Sequence, residues 1–563
     1  MSAGNTESTR FRRTATTALD VLLEADPPAA TALGDHRFDD RLPDPSPAGT
    51  HATLGLLVDA TGALDDLDDA ELDAQDAVDL ELLRSRLTAM QWSMGELAEQ
   101  TWNPLTTVPA QAIYSLVARD TGEPEQRARA LAARLSALPA YLAHARDQLG
   151  AMPRVHVETA AAQVRGAASL LGGTVDALLA RAPGERAAVD TARATAAQAL
   201  EQHARWLDGK LAESERDPRL GERDFAARLW YSLDTHTSPD TLLDRAESDL
   251  MAVEEEIAEV AALLAPRLGI TAPASDRVRE VLDALAAGAP VGDHDVLDRC
   301  RRHLAALTDL VRERDLVSIP DDAVEVIEMP EADRGVAVAY CDPPGALEPG
   351  GPGGPPPTFF AVAPTPSSWS AARVASFYRE YNDHMLRDLT VHEAMPGHVL
   401  QLAHSRRFRG ATSVRAALWS GTFVEGWAVY AEQLVADALE QLAPGDDATL
   451  ALRMQQLKMR LRCTINAILD VRVHARGMTE GEAMALMTGR GHQEDGEATG
   501  KWRRALLTSG QLATYYVGHA EVSALATDLR AARPGATDRA VHDELLSHGS
   551  PSPRLLRDLL ELV

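Results

Sequence analysis

The sequence predicts a mainly α-helical protein with one small β-sheet. Ala, Leu, Arg and Glu dominate the composition, and aromatic residues make up only 4% of the chain. This composition favours helix, because β-rich proteins rely on Val, Ile, Tyr and Phe. At 563 residues the chain is long enough for one large helical body, or for two lobes with a cleft between them.

A helical pattern runs almost without interruption from residue 53 to residue 310, after a short N-terminal helix and a Pro- and Asp-rich loop. Apolar residues recur at three- and four-residue spacing, for example in 79–87 and 128–149. Pro and Gly break the pattern at intervals that are typical of turns between antiparallel helices. We interpret residues 1–317 as a helical scaffold region.

Three short runs of β-branched and aromatic residues predict the strands of one small sheet. They are residues 324–328, 336–340 and 359–362. The last two runs are separated by residues 343–357, of which 12 of 15 are Pro or Gly, and this loop fits a flap and a surface insertion equally well. Residues 318–563 are predicted to combine the sheet with a helical catalytic region, which is either separate from the scaffold or continuous with it.

The charge and the cysteine content exclude several classes of partner and site. The chain has 84 acidic and 55 basic residues, and its net charge of −29 repels nucleic acids and anionic membranes. Its three cysteines are scattered, so neither a disulfide framework nor a thiolate zinc site is expected. No segment approaches the ~20 apolar residues of a membrane span, and no apolar signal segment follows the polar N-terminus. We expect a cytoplasmic protein, and the sequence leaves its oligomeric state open.

The most informative motif contains two histidines and a glutamate. His392 and Glu393 are adjacent, as in the HExxH helix of zinc hydrolases, but His398 follows His392 after six residues rather than four. In an unbroken helix the two histidines would be about 600° apart, which is about 120° away from a common face. Pro396 and Gly397 lie between them, and a local distortion there could return His398 towards His392.

A second motif can complete the metal site. Residues 421–432 read as a helix, and Glu425 lies at the margin of its apolar face, 27 residues after His398. Glu425 can therefore supply a third ligand, and Glu432, two turns further on the same side, can orient a histidine. The alternative is that both carboxylates are merely solvated.

These motifs resemble those of the bacterial DUF885 family, which is similar to the gluzincin-type zinc peptidases. The resemblance rests on residues 392–398 and 423–432, and it extends to three C-terminal segments, 470–479, 514–518 and 548–551. It implies a large, mostly helical body around a deep cleft. It also implies that His392, His398 and Glu425 hold one Zn²⁺ ion, or another divalent metal, and that Glu393 acts on water.

Other polar residues of the C-terminal part are candidates for supporting roles. Tyr515 or Tyr516 could donate a hydrogen bond to an oxyanion, with His519 behind them, although a helical tyrosine is more often packed in a core.

Three further residues near this segment have open roles. His474, near Asp470, could be catalytic or could form a structural hydrogen bond. Arg504 could bind a substrate carboxylate or form a surface salt bridge.

Three functions compete on this sequence. The leading one is a zinc-dependent hydrolase that cleaves a peptide or amide bond in short peptides or in a small amide-containing metabolite, with Glu393 as the base. The second is a metal-dependent lyase or biosynthetic enzyme that uses the same site to abstract a proton. The third is a non-catalytic helical binding protein, which the complete set of base and ligands disfavours.

Overall fold

The computed structural model describes residues 3–119, 122–329, 338–348 and 356–562. Helices form most of the described chain, which confirms the predicted mainly helical class. The helices that precede the sheet are α1 (Ala3–Ala25), α2 (Pro27–Leu33), α3 (Pro47–Asp65), α4 (Ala74–Gln91), α5 (Ala110–Val117), α6 (Pro124–Gln148), α7 (Arg154–Leu170), α8 (Gly173–Arg181), α9 (Arg186–Lys210), α10 (Glu222–Leu233), α11 (Pro239–Leu264), α12 (Ala274–Gly288) and α13 (Val296–Glu313).

The helices after the sheet carry all the candidate site residues. They are α14 (Ala371–Glu380), α15 (Asp383–Glu393), α16 (His398–Ser405), α17 (Val414–Ala417), α18 (Gly421–Leu442), α19 (Asp447–Arg476), α20 (Glu480–Ala485), α21 (Asp495–Leu507), α22 (Thr514–Ala532), α23 (Asp538–Leu546) and α24 (Pro553–Leu559). Side-chain caps fix where the two site helices begin. Asn382 accepts hydrogen bonds from the backbone of the first turn of α15, and Ser420 does the same for α18.

One three-stranded sheet lies between these two groups of helices, where the sequence predicts it. Its strands are β1 (Val324–Glu328), β2 (Ala339–Asp342) and β3 (Thr358–Val362), in the order β1-β3-β2. β3 pairs in parallel with β1 and in antiparallel with β2. The predictions for β1 and β3 are confirmed.

The second strand and the loop after it overlap residues that the structure does not describe. β2 begins at Ala339, three residues later than predicted, and residues 336–337 of that prediction lie outside the described residues. Residues 349–355 of the Pro- and Gly-rich loop lie outside them as well, so its interpretation as a flap or an insertion stays a prediction.

The sheet supports the helix that carries the first histidine. Phe360 and Val362 of β3 lie in the same apolar core as Met385 and Val391 of α15. Burial of each of these side chains contributes roughly 1.5–3 kcal/mol to stability, so the sheet and α15 are stabilised by a common core.

The chain divides into two compact units. Unit 1 consists of Met1–Pro218, Pro344–Pro355 and Gly410–Leu418. Unit 2 consists of Arg219–Pro343, Pro356–Arg409 and Trp419–Val563, and it contains every candidate site residue.

This division differs from the boundary at residue 317 that the sequence suggests, because α10–α13 belong to unit 2. α11 packs along α19, where Leu250 and Ile257 share a core with Leu457 and Leu461. The cleft that the family resemblance implies stays a prediction. Within the described residues no helix is both long and apolar enough to cross a membrane.

Two glycines allow α18 and α22 to pack closely. A Cβ atom added at Gly426 would overlap the backbone of Gly518, and one added at Gly518 would overlap the carbonyl oxygen of Thr422. Gly426 directly follows Glu425, and Gly518 lies one turn after Tyr515. The contact between these helices therefore brings a candidate metal ligand and a candidate hydrogen-bond donor together.

Substitution Gly426→Ala should destabilise the protein by about 1–3 kcal/mol, because the two helices would have to separate. The control is Gly500→Ala in the exposed interior of α21, where an added Cβ atom meets nothing within 4 Å. That variant should be unchanged or gain up to ~1 kcal/mol. Urea denaturation followed by circular dichroism measures both free energies of unfolding, and equal effects in the two variants would contradict the role of the helix contact.

Candidate metal centre

The six-residue spacing of the two histidines is accommodated by a break between two helices. α15 ends at Glu393, and α16 begins at His398. In the turn, the N–H of Gly397 donates to the carbonyl oxygen of Val391 at 2.9 Å, and a Cβ atom at Gly397 would overlap the carbonyl oxygen of His392. Only glycine fits there, and the imidazole rings of His392 and His398 consequently lie 4.8 Å apart. The local distortion predicted at this position is present.

α18 holds this turn in place. The indole Nε1–H of Trp427, which is fully buried, donates to the carbonyl oxygen of Pro396 at 2.8 Å. The peptide bond between Met395 and Pro396 is cis. Trp427 lies two residues after Glu425, so one short stretch of α18 both anchors the turn and supplies the third candidate ligand.

The distances from Glu425 to the two histidines match the spacing of ligands around a tetrahedral metal ion. Oε2 of Glu425 lies 3.4 Å from Nε2 of His392 and 3.5 Å from Nε2 of His398, and all three atoms lie within 4.8 Å of one another. Ligands at ~2.1 Å from a tetrahedral zinc ion are about 3.4 Å apart. Oε2 is buried, yet it accepts no hydrogen bond from a described residue. Two imidazoles and a carboxylate therefore fit a zinc ion and leave one position open.

Glu432 fixes the orientation of the first histidine. Its Oε1 atom lies 2.6 Å from Nδ1 of His392, and its side chain is buried. A carboxylate at Nδ1 keeps the hydrogen on that nitrogen and leaves the lone pair of Nε2 for a metal. Burial disfavours ionisation of Glu425, but His392 and then His398 outweigh it, so the pKa of Glu425 is lowered.

Glu393 is the last residue of α15 and is buried next to the centre. Burial opposes protonation of His392, but Glu425, Glu432 and, to a smaller extent, Glu393 outweigh it and raise the pKa of His392. Burial and, to a smaller extent, the charge of Glu393 raise the pKa of Glu432. A carboxylate in this position would act electrostatically on a metal ion or a ligand bound by the two histidines.

Tyr515 lies beside the candidate ligands. Its ring centre is 6.4 Å from that of His392. Its hydroxyl oxygen accepts hydrogen bonds from Nη2 of Arg504 at 3.2 Å and from Nε2 of Gln511 at 3.4 Å. Arg504 also donates from Nε to Oε1 of Gln511 at 3.1 Å, which closes a network of three side chains.

Tyr516 and His519, by contrast, have partners away from the candidate ligands. The hydroxyl of Tyr516 donates to Asp249 at 2.6 Å, and Nε2 of His519 lies 3.1 Å from Oε1 of Gln433. Burial also lowers the pKa of His519 to about 4. Because the Tyr516 hydroxyl donates its hydrogen to Asp249 and His519 lies against Gln433, we assign neither residue a role at the candidate metal ligands.

Asp470 and His474 bond main-chain groups at the turn between α21 and α22. Asp470 accepts hydrogen bonds from the N–H groups of Gly510 and Ala513, at 3.1 and 2.9 Å. Nε2 of His474 lies 2.9 Å from the carbonyl oxygen of Ala505 in α21 and 2.8 Å from that of Thr508 at the start of the turn. Both side chains thus hold the turn that leads into α22, and the structural alternative for His474 is the one that this position favours.

Asp388 is a buried carboxylate near the centre that the sequence analysis does not identify. It lies one turn before His392 on α15, and neither of its oxygens bonds a described residue. Burial, and then the charge of Glu432, raise the pKa of Asp388 well above its ordinary value. The signal in the sequence is the four-residue spacing to His392, which puts both side chains on one face of the helix.

The chain matches the family described as "Bacterial protein of unknown function (DUF885)" over residues 27–560. It belongs to this family. Comparison with curated proteins gives no match. The DUF885 resemblance read from the sequence motifs is therefore confirmed, and the family description assigns no activity.

Solved structures similar to this DUF885 protein include two that are described with the words "putative lipoprotein". One is described as a "putative lipoprotein of unknown function" from Shewanella oneidensis, with 27% identity, a TM-score of 0.81 and 98% and 99% of the two chains covered. The other is described as a "putative lipoprotein" from Colwellia psychrerythraea, with 16% identity, a TM-score of 0.76 and 98% of each chain covered. A third, the M32 carboxypeptidase from Deinococcus radiodurans R1, has 12% identity, a TM-score of 0.43 and 99% and 96% covered.

Substitution Glu432→Gln should weaken metal binding by roughly 10- to 100-fold, because it removes the charge that orients His392. Zinc affinity is measured by competition with a chromophoric chelator. The control is Glu259→Gln, an exposed position on α11. If zinc affinity in Glu432→Gln equals that of the control, His392 does not depend on this carboxylate.

Proposed function

We propose that this DUF885 protein is a zinc-dependent hydrolase that cleaves a peptide or amide bond. The observation that carries the proposal is the spacing of the buried Oε2 atom of Glu425 from the Nε2 atoms of His392 and His398, at 3.4 and 3.5 Å. Glu393 next to His392 adds the base that hydrolysis requires. The proposed substrates are short peptides or a small amide-containing metabolite.

His392, His398 and Glu425 would hold the zinc ion, and Glu432 would orient His392. When bound, zinc acts as a Lewis acid that polarises a carbonyl group and makes water more acidic. The donor set supports zinc over magnesium or calcium, because those ions prefer oxygen ligands.

Glu393 would accept the proton of the attacking water and pass it to the leaving amine. Its place at the end of α15, where the helix stops before the turn, fixes its backbone between the two histidines. General-base catalysis of this kind typically contributes 10²- to 10⁴-fold to the rate.

Tyr515 would donate a hydrogen bond to the carbonyl oxygen as negative charge develops on it. The hydroxyl oxygen already accepts N–H groups from Arg504 and Gln511, so its own hydrogen points away from both. Burial, and then the charge of Glu425, raise the pKa of Tyr515, which keeps the hydroxyl protonated as a donor at neutral pH.

The activity itself is tested on the purified protein. Elemental analysis should give one zinc per chain, and a panel of short peptides in ¹⁸O-labelled water should give acid products that carry ¹⁸O. Elimination, the alternative that the sequence leaves open, would give products without solvent oxygen.

The cytoplasmic location stays a prediction, since two similar structures are described as lipoproteins. Cell fractionation tests it.

Substitution Glu393→Gln should leave the zinc content at the wild-type level and lower kcat by roughly 10²- to 10⁴-fold. The reason is that the amide keeps the shape of the side chain but cannot accept the proton. Metal analysis and turnover are measured on the same preparation. Full activity in a zinc-loaded variant would exclude Glu393 as the base.

Tyr515 and Tyr516 provide a matched pair for the hydrogen-bond donor. Tyr515→Phe should lower kcat by roughly 10²- to 10³-fold, as for the loss of one oxyanion donor. Tyr516→Phe, which removes the hydroxyl bonded to Asp249, should change kcat by less than about threefold. The assignment fails if the two variants are equally impaired.

A further inference from the structure

A group of basic side chains next to Tyr515 has no role in the proposed hydrolysis. Lys501 and Arg504 lie on one face of α21, and Arg462 reaches the same region from α19. We call these three residues the cation cluster. Each acts electrostatically on Glu497, an acid one turn before Lys501 on α21.

The charges of the cation cluster are only partly compensated. The guanidinium of Arg462 forms an ion pair with Oε1 of Glu497. The same oxygen lies 3.9 Å from Nζ of Lys501, which is beyond hydrogen-bonding distance. Another acid that acts on Arg462 is Glu380, and its Oε2 already bonds Lys458 at 3.0 Å.

The hydrogen-bond partners of Arg504 are neutral. It bonds the amide of Gln511 and the hydroxyl of Tyr515. A guanidinium has five N–H groups, and these contacts within the described chain use two of them. The remaining N–H groups can bind a carboxylate, whose two oxygens accept two parallel N–H bonds from arginine.

Burial makes this excess of positive charge costly. Lys501 is only 5% exposed, and burial, followed by the charge of Arg462, lowers its pKa to about 7 although Glu497 acts in the opposite direction. An anion placed beside the cluster would offset this cost. The protein as a whole carries a net charge of −29, so a local excess of cations does not follow from its composition.

The cluster is one side chain away from the candidate metal ligands. Arg504 bonds Tyr515 at 3.2 Å, and the ring of Tyr515 lies 6.4 Å from that of His392. A ligand bound to Arg504 could therefore have its amide group at the metal centre.

We propose that Arg504, with Lys501 and Arg462 behind it, binds a carboxylate of the substrate. The substrate class is then an amide that carries a free carboxylate near the bond to be cleaved, either the C-terminal carboxylate of a peptide or an acidic side chain. This assignment rests on the proposed hydrolase function, because it names the substrate of the same site.

Binding, rather than turnover, tests the assignment, because Arg504 also contacts Tyr515 and its loss would affect turnover for either reason. Zinc-loaded protein with Glu393→Gln is titrated calorimetrically with three ligands: N-acetyl-alanyl-alanine, its C-terminal amide, and N-acetyl-alanyl-aspartate amide. We expect a ligand with a carboxylate to bind at least about tenfold more tightly than the neutral amide. The first ligand represents a terminal carboxylate and the third a side-chain carboxylate, so their ranking identifies the source.

The preference should disappear when Arg504→Gln is added and persist when Arg503→Gln is added, since Arg503 is an exposed neighbour on α21. Lys501→Met, as a second variant, should reduce the preference in part, and zinc content checks that each variant is folded. Equal binding of the three ligands would overturn the inference. So would a preference that survives Arg504→Gln, because the metal would then be the recognising group.

The two proposals fail separately. A carboxylate preference that depends on Arg504, in a protein that hydrolyses no amide, would retain the anion site and remove the hydrolase assignment. Hydrolysis without such a preference would retain the hydrolase assignment and remove the anion site.

Discussion

His392 contacts α18 through both of its ring nitrogens, and the rest of the candidate centre depends on this arrangement. Glu432 lies 2.6 Å from Nδ1 and Glu425 lies 3.4 Å from Nε2. Carboxylates seven residues apart on a helix face the same side, so a single imidazole can meet both only if α15 crosses close to α18. Trp427, between them in sequence, makes this approach possible by anchoring the turn after α15. His398 then reaches the carboxylate of Glu425, because a turn, rather than continuous helix, connects residues 393 and 398.

The contact between α18 and α22 decides which tyrosine faces this centre. Tyr515 and Tyr516 are adjacent, and no local pattern in the sequence distinguishes them. Successive residues of a helix point about 100° apart, so one ring approaches His392 while the other hydroxyl meets Asp249. The rotation of α22 is set by its close packing at Gly426 and Gly518, which is a long-range contact. The residue types at the site could therefore be predicted, but the choice between neighbours could not.

The same distinction between local and long-range information applies to the fold. The helical class and the strands at 324–328 and 359–362 follow from patterns within a few residues, and the structure has both strands there, the second beginning one residue earlier at Thr358. The membership of α10–α13 in unit 2 depends on partners about 200 residues away, such as the packing of Leu250 against α19. Composition changes near residue 318, and that change marks the sheet rather than a unit boundary. Asp388 is a related case: its four-residue spacing to His392 is visible in the sequence, but a single acid on a helix is usually solvated, and its burial depends on the packing of other helices.

The candidate centre and the cation cluster have opposite charges and are joined by Tyr515. On one side Glu393, Glu425 and Glu432 surround two imidazoles, a set whose negative charge a divalent cation would balance. On the other side the charges of three basic groups act on the single acid Glu497, and an anion would balance their excess charge. A substrate that carries a carboxylate would be held at one end by Arg504, and that binding energy would position its amide at the other end. The net charge of the chain opposes the approach of an anion, so the local cluster has to supply the attraction at short range, where screening by salt is weakest.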